Sequence, residues 1–416
     1  MRKVLRGSVG ARSVKILDVT EFYSERGGGV RSHLALKGHV LCQLGHEHVV
    51  VAPGPRDGVE EPAPLAASEG RARTKTIRIR GPASPYDPTY FLLVRFDEIA
   101  SIVARERPDV LEIHSPYLAA LGALRARRGT YGARTFQWHS DFIDTYAGVL
   151  EPRLTPMLRP ALALRRPLWS LVRAIARRCD ATLVAAEWQA KKLASHRVPR
   201  IRRVPFGIER ETFRPSARSF ERRRELLALA GHDANDDACA VLVGVGRFAI
   251  EKRWDIVLDA FLRVRRARDC VLVLFGDGPE RERMRARVAG VPGVAMPGFT
   301  KDREALASSL ASADALVHGC PFETFGLSIA EAMSCGLPAV VPDEGGAAEM
   351  HADGAGEIYR ALDADACATA VERLLDRLAK DDTSVREAAS RAASRLPTVR
   401  EQFEAQVALY TQLLAR

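Results

Sequence analysis

Strand-like and helix-like segments alternate along this chain from one end to the other. Short runs of β-branched or apolar residues are separated by longer amphipathic runs with a helical period. The predicted strands cover residues 14–19, 48–52, 76–80, 110–113, 134–138, 181–184, 240–245, 270–275, 294–296, 313–317 and 339–341. Such alternation requires parallel sheets that are covered by helices on both faces. For 416 residues, two doubly wound α/β units fit better than one barrel, because the pattern breaks in the middle.

The break lies at residues 204–216, where prolines and a glycine punctuate an extended segment. We predict that the linker between the two units lies here. After Pro397 the chain ends in an amphipathic helix, predicted over 399–414. The predicted units are residues 1–203 together with 397–416, and residues 204–396.

Composition narrows the class of protein. Hydrophobic residues make up 47% and charged residues 27%, which is typical of globular chains. The seven cysteines are scattered, and we expect buried thiols in a reducing compartment rather than disulfides or zinc ligands. The basic N-terminus lacks a signal-peptide core, and we expect no membrane span. The net charge of +10 favours anionic partners such as phosphorylated molecules, nucleic acid or acidic lipid.

A glycine-rich segment, RGGGVRSHL at residues 26–34, follows the first strand and opens the first helix. In a doubly wound sheet, ligands bind at this C-terminal end of a strand. Glycines let the backbone approach a ligand closely, and the N–H groups of a helix start favour an anion. The segment therefore fits an anion site, although an ordinary flexible turn has the same composition.

Two cations follow the first strand of the second unit. Arg247 and Lys252 stand in GVGRFAIEKRWD, ahead of a helix predicted from about Trp254. A guanidinium binds a diphosphate in a forked geometry, and an ammonium binds it as a point charge. Solvated surface charges are the alternative, but the position at a strand end favours phosphate binding.

Histidines end two strands of the first unit. His139 stands in FQWHSDF beside Asp141, and His114 stands in LEIHSPY. A strand-end histidine that faces a cleft can hydrogen-bond a phosphate or a sugar hydroxyl. A single histidine is more often structural, and the aromatic, polar-tipped surroundings favour His139 as the functional one.

Two glutamates, Glu323 and Glu331, stand eight positions apart in the segment 318–349. Eight residues of helix span about 12 Å, which is too far for the carboxyl pair of a glycosidase. The glutamates are therefore predicted to be separate hydrogen-bond acceptors for a polyol. A helix-terminal glutamate and a surface glutamate are the alternative.

The helix between these glutamates is predicted from about Phe325 to Ser334. The backbone N–H groups of Phe325, Gly326 and Leu327 would then stand at its start and could donate to an anion.

Seven segments of the chain resemble the retaining glycosyltransferases of family 4, which have the GT-B fold. In chain order they are ERGGGVRSHL, LGHEHVVVA, VPFGIERETFRP, GVGRFAIEKRWD, FGDGP, FETFGLSIAEAMSCGLPAVV and EGGAAE. The Glu-x7-Glu signature joined to the Arg…Lys segment is the most specific of them. The segments extend over nearly the whole chain.

The resemblance implies two Rossmann-like domains that face each other across a cleft, with a nucleotide-diphosphate sugar between them. Arg247 and Lys252 would hold the diphosphate, together with Gly28 and Gly29 across the cleft. They would replace the metal ion that other glycosyltransferases bind, so no metal and no further cofactor is expected.

The resemblance also implies roles for the glutamates and for His139. Glu323 would bind the hydroxyls of the donor sugar, and Glu331 would bind those of the ribose. Phe325, Gly326 and Leu327 would contact sugar or phosphate through their N–H groups. His139 matches the family's strand-end histidine near the reacting sugar, so that the expected catalytic residues are His139, Arg247, Lys252 and Glu323.

Two departures from the family pattern are visible. Phe206 stands where many members have Asn, and residues 248–250 fill the short loop after Arg247. Neither is expected to touch the chemistry.

The leading function is the retaining transfer of a hexose to a hydroxyl of a lipid or glycan. GDP-mannose and UDP-glucose are the expected donors, and GDP-mannose is favoured. A sugar-phosphate synthase or a sugar-nucleotide epimerase of the same fold is the alternative. An inactive module or a nucleic-acid binder is a third class, but the signature residues are intact and no nucleic-acid motif is recognised.

A basic segment of the sequence is relevant to where in the cell the protein acts. Residues 153–178 contain seven arginines and no acid, with apolar residues between them. Such a segment lies on an anionic membrane or forms a core-packed helix with a solvated arginine face. We expect a cytoplasmic protein, with peripheral contact on the inner membrane face as one of these alternatives.

Overall fold

The structure is a computed structural model that describes most of the chain. The described residues are 13–24, 29–61, 73–85, 88–114, 116–139, 141–143, 145 and 165–416. Gly28 and the first part of the arginine-rich segment, residues 153–164, lie outside them.

Eight strands of the described residues form the sheet of the first unit. They are β1 Lys15–Val19, β2 Glu47–Gly54, β3 Gly58–Glu60, β4 Thr74–Arg80, β5 Val110–Ile113, β6 Ala133–Gln137, β7 Ala181–Val184 and β8 Ile201–Arg203. Their spatial order is β3-β4-β2-β1-β5-β6-β7-β8, and every pair is parallel except β3–β4. The order reverses between β1 and β5, which makes this the switch point of the sheet.

Six strands of the second unit form an all-parallel sheet. They are β9 Ala240–Val245, β10 Cys270–Phe275, β11 Val294–Gly298, β12 Ala315–Val317, β13 Ala339–Pro342 and β14 Gly356–Tyr359. Their order is β11-β10-β9-β12-β13-β14, with a switch point between β9 and β12. β10 is buried along its whole length, because helices cover both faces of the sheet.

Helices connect the strands. They are α1 Gly29–Gln43, α2 Phe96–Glu106, α3 Leu118–Ala123, α4 Arg165–Arg177, α5 Glu187–Ser195, α6 Phe220–Leu229, α7 Trp254–Val264, α8 Arg281–Arg287, α9 Arg303–Ser312, α10 Leu327–Ser334, α11 Gly345–Met350, α12 Ala364–Ala393 and α13 Val399–Leu414. Among the described residues, none of these helices has the length and apolar character needed to cross a membrane.

The last helix packs on the first unit. Thr398 and Glu401 form a capping box that begins α13. Tyr410 and Leu413 are then buried in one cluster with Ile16 of β1 and other residues of the first sheet. The chain thus leaves the second unit and completes the core of the first, although the exact unit boundaries at 203 and 397 stay predictions.

The expected fold class is confirmed, since both sheets are doubly wound and every predicted strand is present. Three strands were not predicted: β3, β8 and β14. β3 is exposed throughout and β8 carries two exposed arginines, so neither shows an apolar run. All seven cysteines are buried and none is in a disulfide, as expected.

Candidate active site

Polar residues, most of them singled out from the sequence, follow strands at or beside the two switch points. In the first sheet His114 directly follows β5, and His139 follows the neighbouring β6. In the second sheet Arg247 follows β9 and His318 follows β12. The C-terminal ends of parallel strands at a switch point form the crevice in which such sheets bind ligands.

Arg247 lies where the two units meet. Its guanidinium lies over the ring of Tyr90 from the first unit, 5.2 Å from the ring centroid. Its backbone carbonyl accepts a hydrogen bond of 2.9 Å from the indole of Trp254, which begins α7. The side chain is half-buried. With its backbone fixed by Trp254 and its guanidinium over Tyr90, this cation at a strand end is placed to face a bound anion.

Lys252 and Glu323 form an ion pair that the sequence did not predict. The Lys252 ammonium lies 2.6 Å from Oε2 of Glu323, and Nε2 of His318 lies 3.3 Å from the same oxygen. Burial by itself raises the pKa of Glu323, but the ammonium of Lys252 and the neighbouring His318 hold that pKa well below its usual range. Burial lowers the pKa of Lys252, and Glu323 outweighs this effect, so that the net shift is upward. Both side chains are therefore ionised.

The loop that carries Glu323 depends on glycines. Gly326 caps α10 at φ 91°, a left-handed conformation that favours glycine. The backbone N–H of Gly346 donates to the Glu323 carbonyl at 2.6 Å, and a Cβ on Gly346 would lie 2.7 Å from the Phe325 nitrogen. The Gly-Gly pair at 345–346 therefore lets α11 pack directly against the Glu323 loop. The helix itself begins at Leu327, two residues later than predicted.

Glu331 is buried rather than exposed, which excludes its reading as a surface residue. Only 6% of it is exposed, and its Oε1 accepts a 2.7 Å bond from the guanidinium of Arg303. Arg303 also pairs with Glu209 of the linker. Burial raises the pKa of Glu331, and Arg303 offsets this only in part. The carboxylate is an acceptor held in place on one side by a cation.

The ring of His139 contacts two neighbouring rings. It meets His114 edge to edge, with Nε2 2.5 Å from Nδ1 of His114 and an interplanar angle of 15°. Its centroid lies 5.9 Å from that of Phe206 at an interplanar angle of 19°. Phe206 also makes an edge contact of 5.3 Å with Phe325 of the second unit. The ring of Phe206, which was not expected to touch the chemistry, thus lies between His139 and the Glu323 loop.

Gly29 is the first residue of α1 and is exposed. It thus stands at the helix start expected for an anion, while its partner Gly28 is not among the described residues. The remaining predicted residues, Gly326 and Leu327, lie at the start of α10, which points from the Glu323 loop into the second unit.

Contacts between the units hold the site together. The carboxylate of Glu349 accepts bonds of 2.9 and 3.0 Å from the backbone N–H groups of Glu187 and Trp188, which begin α5. The indole of Trp188 donates to the carbonyl of Thr324 at 3.0 Å. Glu349 ends the EGGAAE segment, so this segment both supports the Glu323 loop and caps a helix of the first unit.

The sequence analysis did not single out four residues that contact the predicted ones: His33, Tyr90, Arg303 and His318. It also missed the buried group of Lys37, Asp18 and Glu112, which lies beside His114. Lys37 had a detectable signal. It lies three residues after Leu34 and four before Leu41, on the apolar stripe of α1, and it is fully buried. A charge at a core position requires buried partners, which sequence alone does not name.

Candidate cation ligands occur beside both lysines. Asp18, Glu112 and His114 lie close enough together to hold a metal ion, as do His318, Cys320 and Glu323. In each set a lysine ammonium already contacts a carboxylate. The chain also contains one Asp-x-Asp, at 363–365, but Asp363 caps α12 through the N–H groups of the next residues.

The described part of the arginine-rich segment is helix α4. Trp169, Val172 and Ile175 are buried on one face, while Arg166 and Arg177 are exposed. A cavity of about 620 Å³ lies beside it; its lining consists of Arg165, Arg166, Trp169, Ser170, Arg173 and His196. One face of the helix is thus packed in the core, and the other presents a basic surface.

Sequence models of two glycosyltransferase families match the chain. The model described as Glycosyltransferase Family 4 matches residues 27–212, and the model described as Glycosyl transferases group 1 matches residues 239–377. The first match covers His114 and His139, and the second covers Arg247, Lys252 and both glutamates.

Individual relatives align with most of the length of this chain. The GDP-mannose-dependent alpha-(1-6)-phosphatidylinositol dimannoside mannosyltransferase of Mycobacterium tuberculosis is 29% identical over 331 residues, which is 79% of each chain. The GDP-mannose-dependent alpha-mannosyltransferase of Mycolicibacterium smegmatis is 28% identical over 81% of this chain and 82% of its own. Among solved structures, the sucrose-phosphate synthase of Thermosynechococcus elongatus matches with a TM-score of 0.74 at 20% identity, over 97% of this chain and 99% of its own. At that identity the structural likeness concerns the fold alone.

Proposed function

Since the chain belongs to family 4 of the glycosyltransferases and has the GT-B fold, we propose that this glycosyltransferase moves a hexose, with retention, from a nucleotide-diphosphate sugar to a hydroxyl of a lipid. The observation that carries the proposal is the placement of Arg247, Lys252 and Glu323 together at the β9–β12 switch point. Two cations that can bind a diphosphate therefore lie at the same edge of the sheet as an ionised carboxylate that can accept hydrogen bonds from a sugar.

Three charged side chains share the binding of the nucleotide-diphosphate sugar. The Lys252 ammonium has three donors, so it can keep Glu323 as one partner while donating to the diphosphate. Glu323, ionised and only 15% exposed in its side chain, accepts from hydroxyls of the sugar. Glu331 accepts from the ribose hydroxyls while Arg303 holds its other side.

Transfer requires one bond to break and one to form at the anomeric carbon. The electron pair of the carbon–oxygen bond passes to the departing diphosphate, and the acceptor oxygen bonds to the carbon on the same face. The acceptor's proton passes to an oxygen of the departing phosphate, so no side chain acts as a nucleophile. Arg247 and Lys252 stabilise the charge that develops on the diphosphate, because they are held in place before the reaction begins.

This role of Arg247 and Lys252 makes a metal ion unnecessary for leaving-group stabilisation. Magnesium or manganese would otherwise supply the same charge stabilisation. We accordingly propose a metal-independent transfer.

GDP-mannose is the proposed donor. Its support is that both mycobacterial relatives are named as GDP-mannose-dependent mannosyltransferases over about four fifths of this chain. UDP-glucose is the competing donor, since the site residues described above recognise diphosphate, ribose and sugar hydroxyls rather than a base.

A lipid is the proposed acceptor class. One relative is named for a phosphatidylinositol dimannoside, which is anionic. Helix α4 presents Arg165, Arg166 and Arg173 around a cavity, and basic surfaces of this kind attract anionic headgroups. We propose that the protein works in the cytoplasm and contacts the membrane peripherally through α4.

Radiolabelled donors test the proposal. The purified protein is incubated with GDP-mannose or UDP-glucose, each with phosphatidylinositol mannosides, a soluble mannoside or glucose 6-phosphate as acceptor. We expect label to pass from GDP-mannose to the lipid, with an α-linkage in the product by NMR. Transfer only to the sugar phosphate would indicate a synthase, turnover without any acceptor would indicate an epimerase, and a β-linkage would contradict retention.

A further inference from the structure

A histidine, a cysteine and an aspartate converge at one end of the second sheet, away from the candidate active site. They are His232 in the loop between α6 and β9, Cys239 directly before β9, and Asp269 directly before β10. One ligand atom from each, a ring nitrogen, the sulfur and a carboxylate oxygen, lies within 4.8 Å of the other two. Imidazole, thiolate and carboxylate are the ligand types that zinc prefers in proteins.

The strand register fixes two of these residues. β9 and β10 are neighbouring parallel strands, and their first residues, Ala240 and Cys270, are paired. The backbone N–H of Ala240 donates to the carbonyl of Asp269 at 3.1 Å. Cys239 and Asp269 stand one position earlier on each strand, so the sheet holds them side by side.

The end of α6 fixes the histidine. Gly231 follows this helix at φ 71°, a left-handed conformation that favours glycine, and turns the chain back. The N–H of His232 then donates to the carbonyl of Leu227 at 3.0 Å, which ties the histidine backbone to the last turn of the helix. From this position the ring reaches the start of β10, where its Nε2 lies 3.6 Å from Oδ2 of Asp269.

A second aspartate shapes the loop between the histidine and the cysteine. Oδ1 of Asp236 accepts bonds of 2.9 and 3.2 Å from the N–H groups of Ala238 and Cys239. Its Oδ2 lies 2.9 Å from Nε2 of His232. Asp236 thus holds the loop in the form that brings Cys239 towards His232, and its second oxygen stays beside the same ring nitrogen.

This set of residues differs from the two sets that lie beside lysines. In those sets the ammonium of Lys37 or Lys252 already contacts a carboxylate. Among the described residues, no lysine or arginine forms an ion pair with Asp236 or Asp269, and His232 is the group that both carboxylates contact. Two carboxylates around one imidazole leave at least one negative charge uncompensated, which attracts a cation.

The spacing and the exposure suit a tetrahedral ion. Zinc–ligand distances of about 2.0–2.3 Å place neighbouring ligand atoms about 3.3–3.6 Å apart. The nitrogen of His232 and the oxygen of Asp269 are already 3.6 Å apart. Cys239 is buried, whereas 17% of the His232 side chain and 56% of the Asp269 side chain are exposed. An ion can therefore enter from solvent and meet the sulfur at the closed end of the site.

We propose that His232, Cys239 and Asp269 bind a zinc ion. Asp236 is placed to supply the fourth ligand through its Oδ2. On binding, the thiol of Cys239 releases its proton to solvent, and Nε2 of His232 gives its electron pair to the ion while the ring proton resides on Nδ1. Thiolate and imidazole ligands favour zinc over magnesium or manganese. The scattered cysteines did not predict this site, because one ligand comes from the start of the next strand.

The zinc ion would join the loop after α6 to the starts of β9 and β10 and so stabilise the second unit. The site lies at the opposite edge of the sheet from Arg247. β9 has six residues, so its two ends are about 20 Å apart. The ion therefore takes no part in stabilising the leaving group, and its removal should leave turnover unchanged at temperatures where the protein stays folded.

Metal analysis of the protein without a histidine tag tests the site. Protein produced in zinc-supplemented medium and dialysed without chelator should retain about one zinc ion per chain by plasma mass spectrometry. Cys239→Ser and Asp269→Asn should lose this zinc. Cys320→Ser, which removes the cysteine of the set beside Lys252, should keep it. Absence of zinc from the wild-type protein, or zinc that remains in both site variants, would overturn the proposal.

Cobalt substitution identifies the sulfur ligand. Co²⁺ bound by a thiolate gives a charge-transfer band in the near ultraviolet, which we expect in the wild-type protein and in Cys320→Ser but not in Cys239→Ser. A band that persists in Cys239→Ser would overturn the proposal. Because the Asp269 side chain is largely exposed, Asp269→Asn tests the site even if the buried serine destabilises the fold. In that variant the affinity for Co²⁺ should fall tenfold or more, by about the effect of losing one charged ligand.

Thermal unfolding measures the effect of the ion on stability. Excess zinc should raise the Tm of the EDTA-treated wild-type protein by roughly 4 °C or more. Magnesium at the same concentration should leave the Tm unchanged, and zinc should not raise the Tm of Asp269→Asn. An equal rise in the wild-type protein and in Asp269→Asn would show that the zinc binds elsewhere and would overturn the proposal.

Discussion

The protein contains two lysine–carboxylate sites at comparable places in its two sheets, and they differ in exposure. Lys252 meets Glu323 beside the β9–β12 switch point, with 23% and 15% of their side chains exposed. Lys37 meets Asp18 and Glu112 in the first sheet, and all three side chains are completely buried. The second-unit pair can exchange partners with a ligand, while the ammonium of Lys37 is fully occupied by protein carboxylates.

This difference in exposure explains why the same residue types have different roles at the two sites. A partly exposed ion pair adds little to the stability of the folded protein, and its ammonium keeps N–H groups that can donate to a ligand. A buried pair is strongly destabilised when one partner is removed, because an uncompensated charge remains inside. We therefore expect variants of the first site to lose stability and variants of the second to lose activity.

The largest effect is expected for Lys37→Met. The variant leaves Asp18 and Glu112 without their cation, and removal of one partner of a buried pair costs about 3–5 kcal/mol. The free energy of unfolding, measured in urea, should fall by that amount. Lys252→Met should cost clearly less, and Lys75→Met, which affects a half-buried pair with Glu106, serves as the control. Equal losses for Lys37 and Lys252 would contradict the contrast between the sites.

The variants Arg247→Ala and Lys252→Ala test whether the site of the second unit serves activity. Each removes leaving-group stabilisation, so turnover should fall by about 10²-fold or more while the protein stays folded. Initial rates with labelled GDP-mannose measure the effect. Arg285→Ala, which removes an exposed cation from α8, is the matched control. Near-normal turnover in both site variants would refute the diphosphate assignment.

Substitution of Glu331 should affect binding of the nucleotide, whereas substitution of Glu323 should affect orientation of the sugar. Glu331→Ala should weaken the nucleotide diphosphate about ten- to 150-fold, the worth of a charged hydrogen bond. Arg303 keeps Glu209 as a partner in this variant, which limits structural damage. Glu323→Ala should spare the nucleotide diphosphate and slow transfer. Calorimetry beside initial rates tests both, and equal loss of nucleotide affinity would contradict the division of roles.

The smallest effect is expected from chelation. If Arg247 and Lys252 supply the charge that a metal would supply, EDTA leaves turnover unchanged. Rates before and after dialysis against EDTA measure this. Loss of activity that Mg²⁺ or Mn²⁺ restores would show that cationic side chains do not suffice.

Much of the fold was predictable because strand and helix periods are local. β9 and β10 were predicted with the bounds observed, since each is a continuous apolar run followed by a turn. β14 was missed, because a four-residue strand that begins with glycine and glutamate lacks such a run. The start of α10 was placed two residues early, because Gly326 adopts a left-handed cap rather than the first helical turn.

The candidate site was predictable to the extent that its residues stand in motifs. Arg247, Lys252, Glu323 and Glu331 were singled out from their positions after strands and from the family pattern. Their partners were not, since Arg303 and His318 belong to no short-range pattern. The contact of Phe206 with His139 was not predicted, because it depends on how residues 204–216 lie against the first unit.

The sequence by itself determined most of the periodic elements and which residues stand at the ends of those strands. It did so because each of these depends on neighbours within a few positions along the chain. The charge pairing was decided by the tertiary structure. The β1–β5 register places Glu112 beside Asp18, where Lys37 of α1 meets both. Tyr410 reaches Glu112 only because α13 returns to the first unit. Contacts between residues 75 or 298 positions apart depend on strand register and helix packing, and these are set by the burial of the whole core rather than by any local pattern.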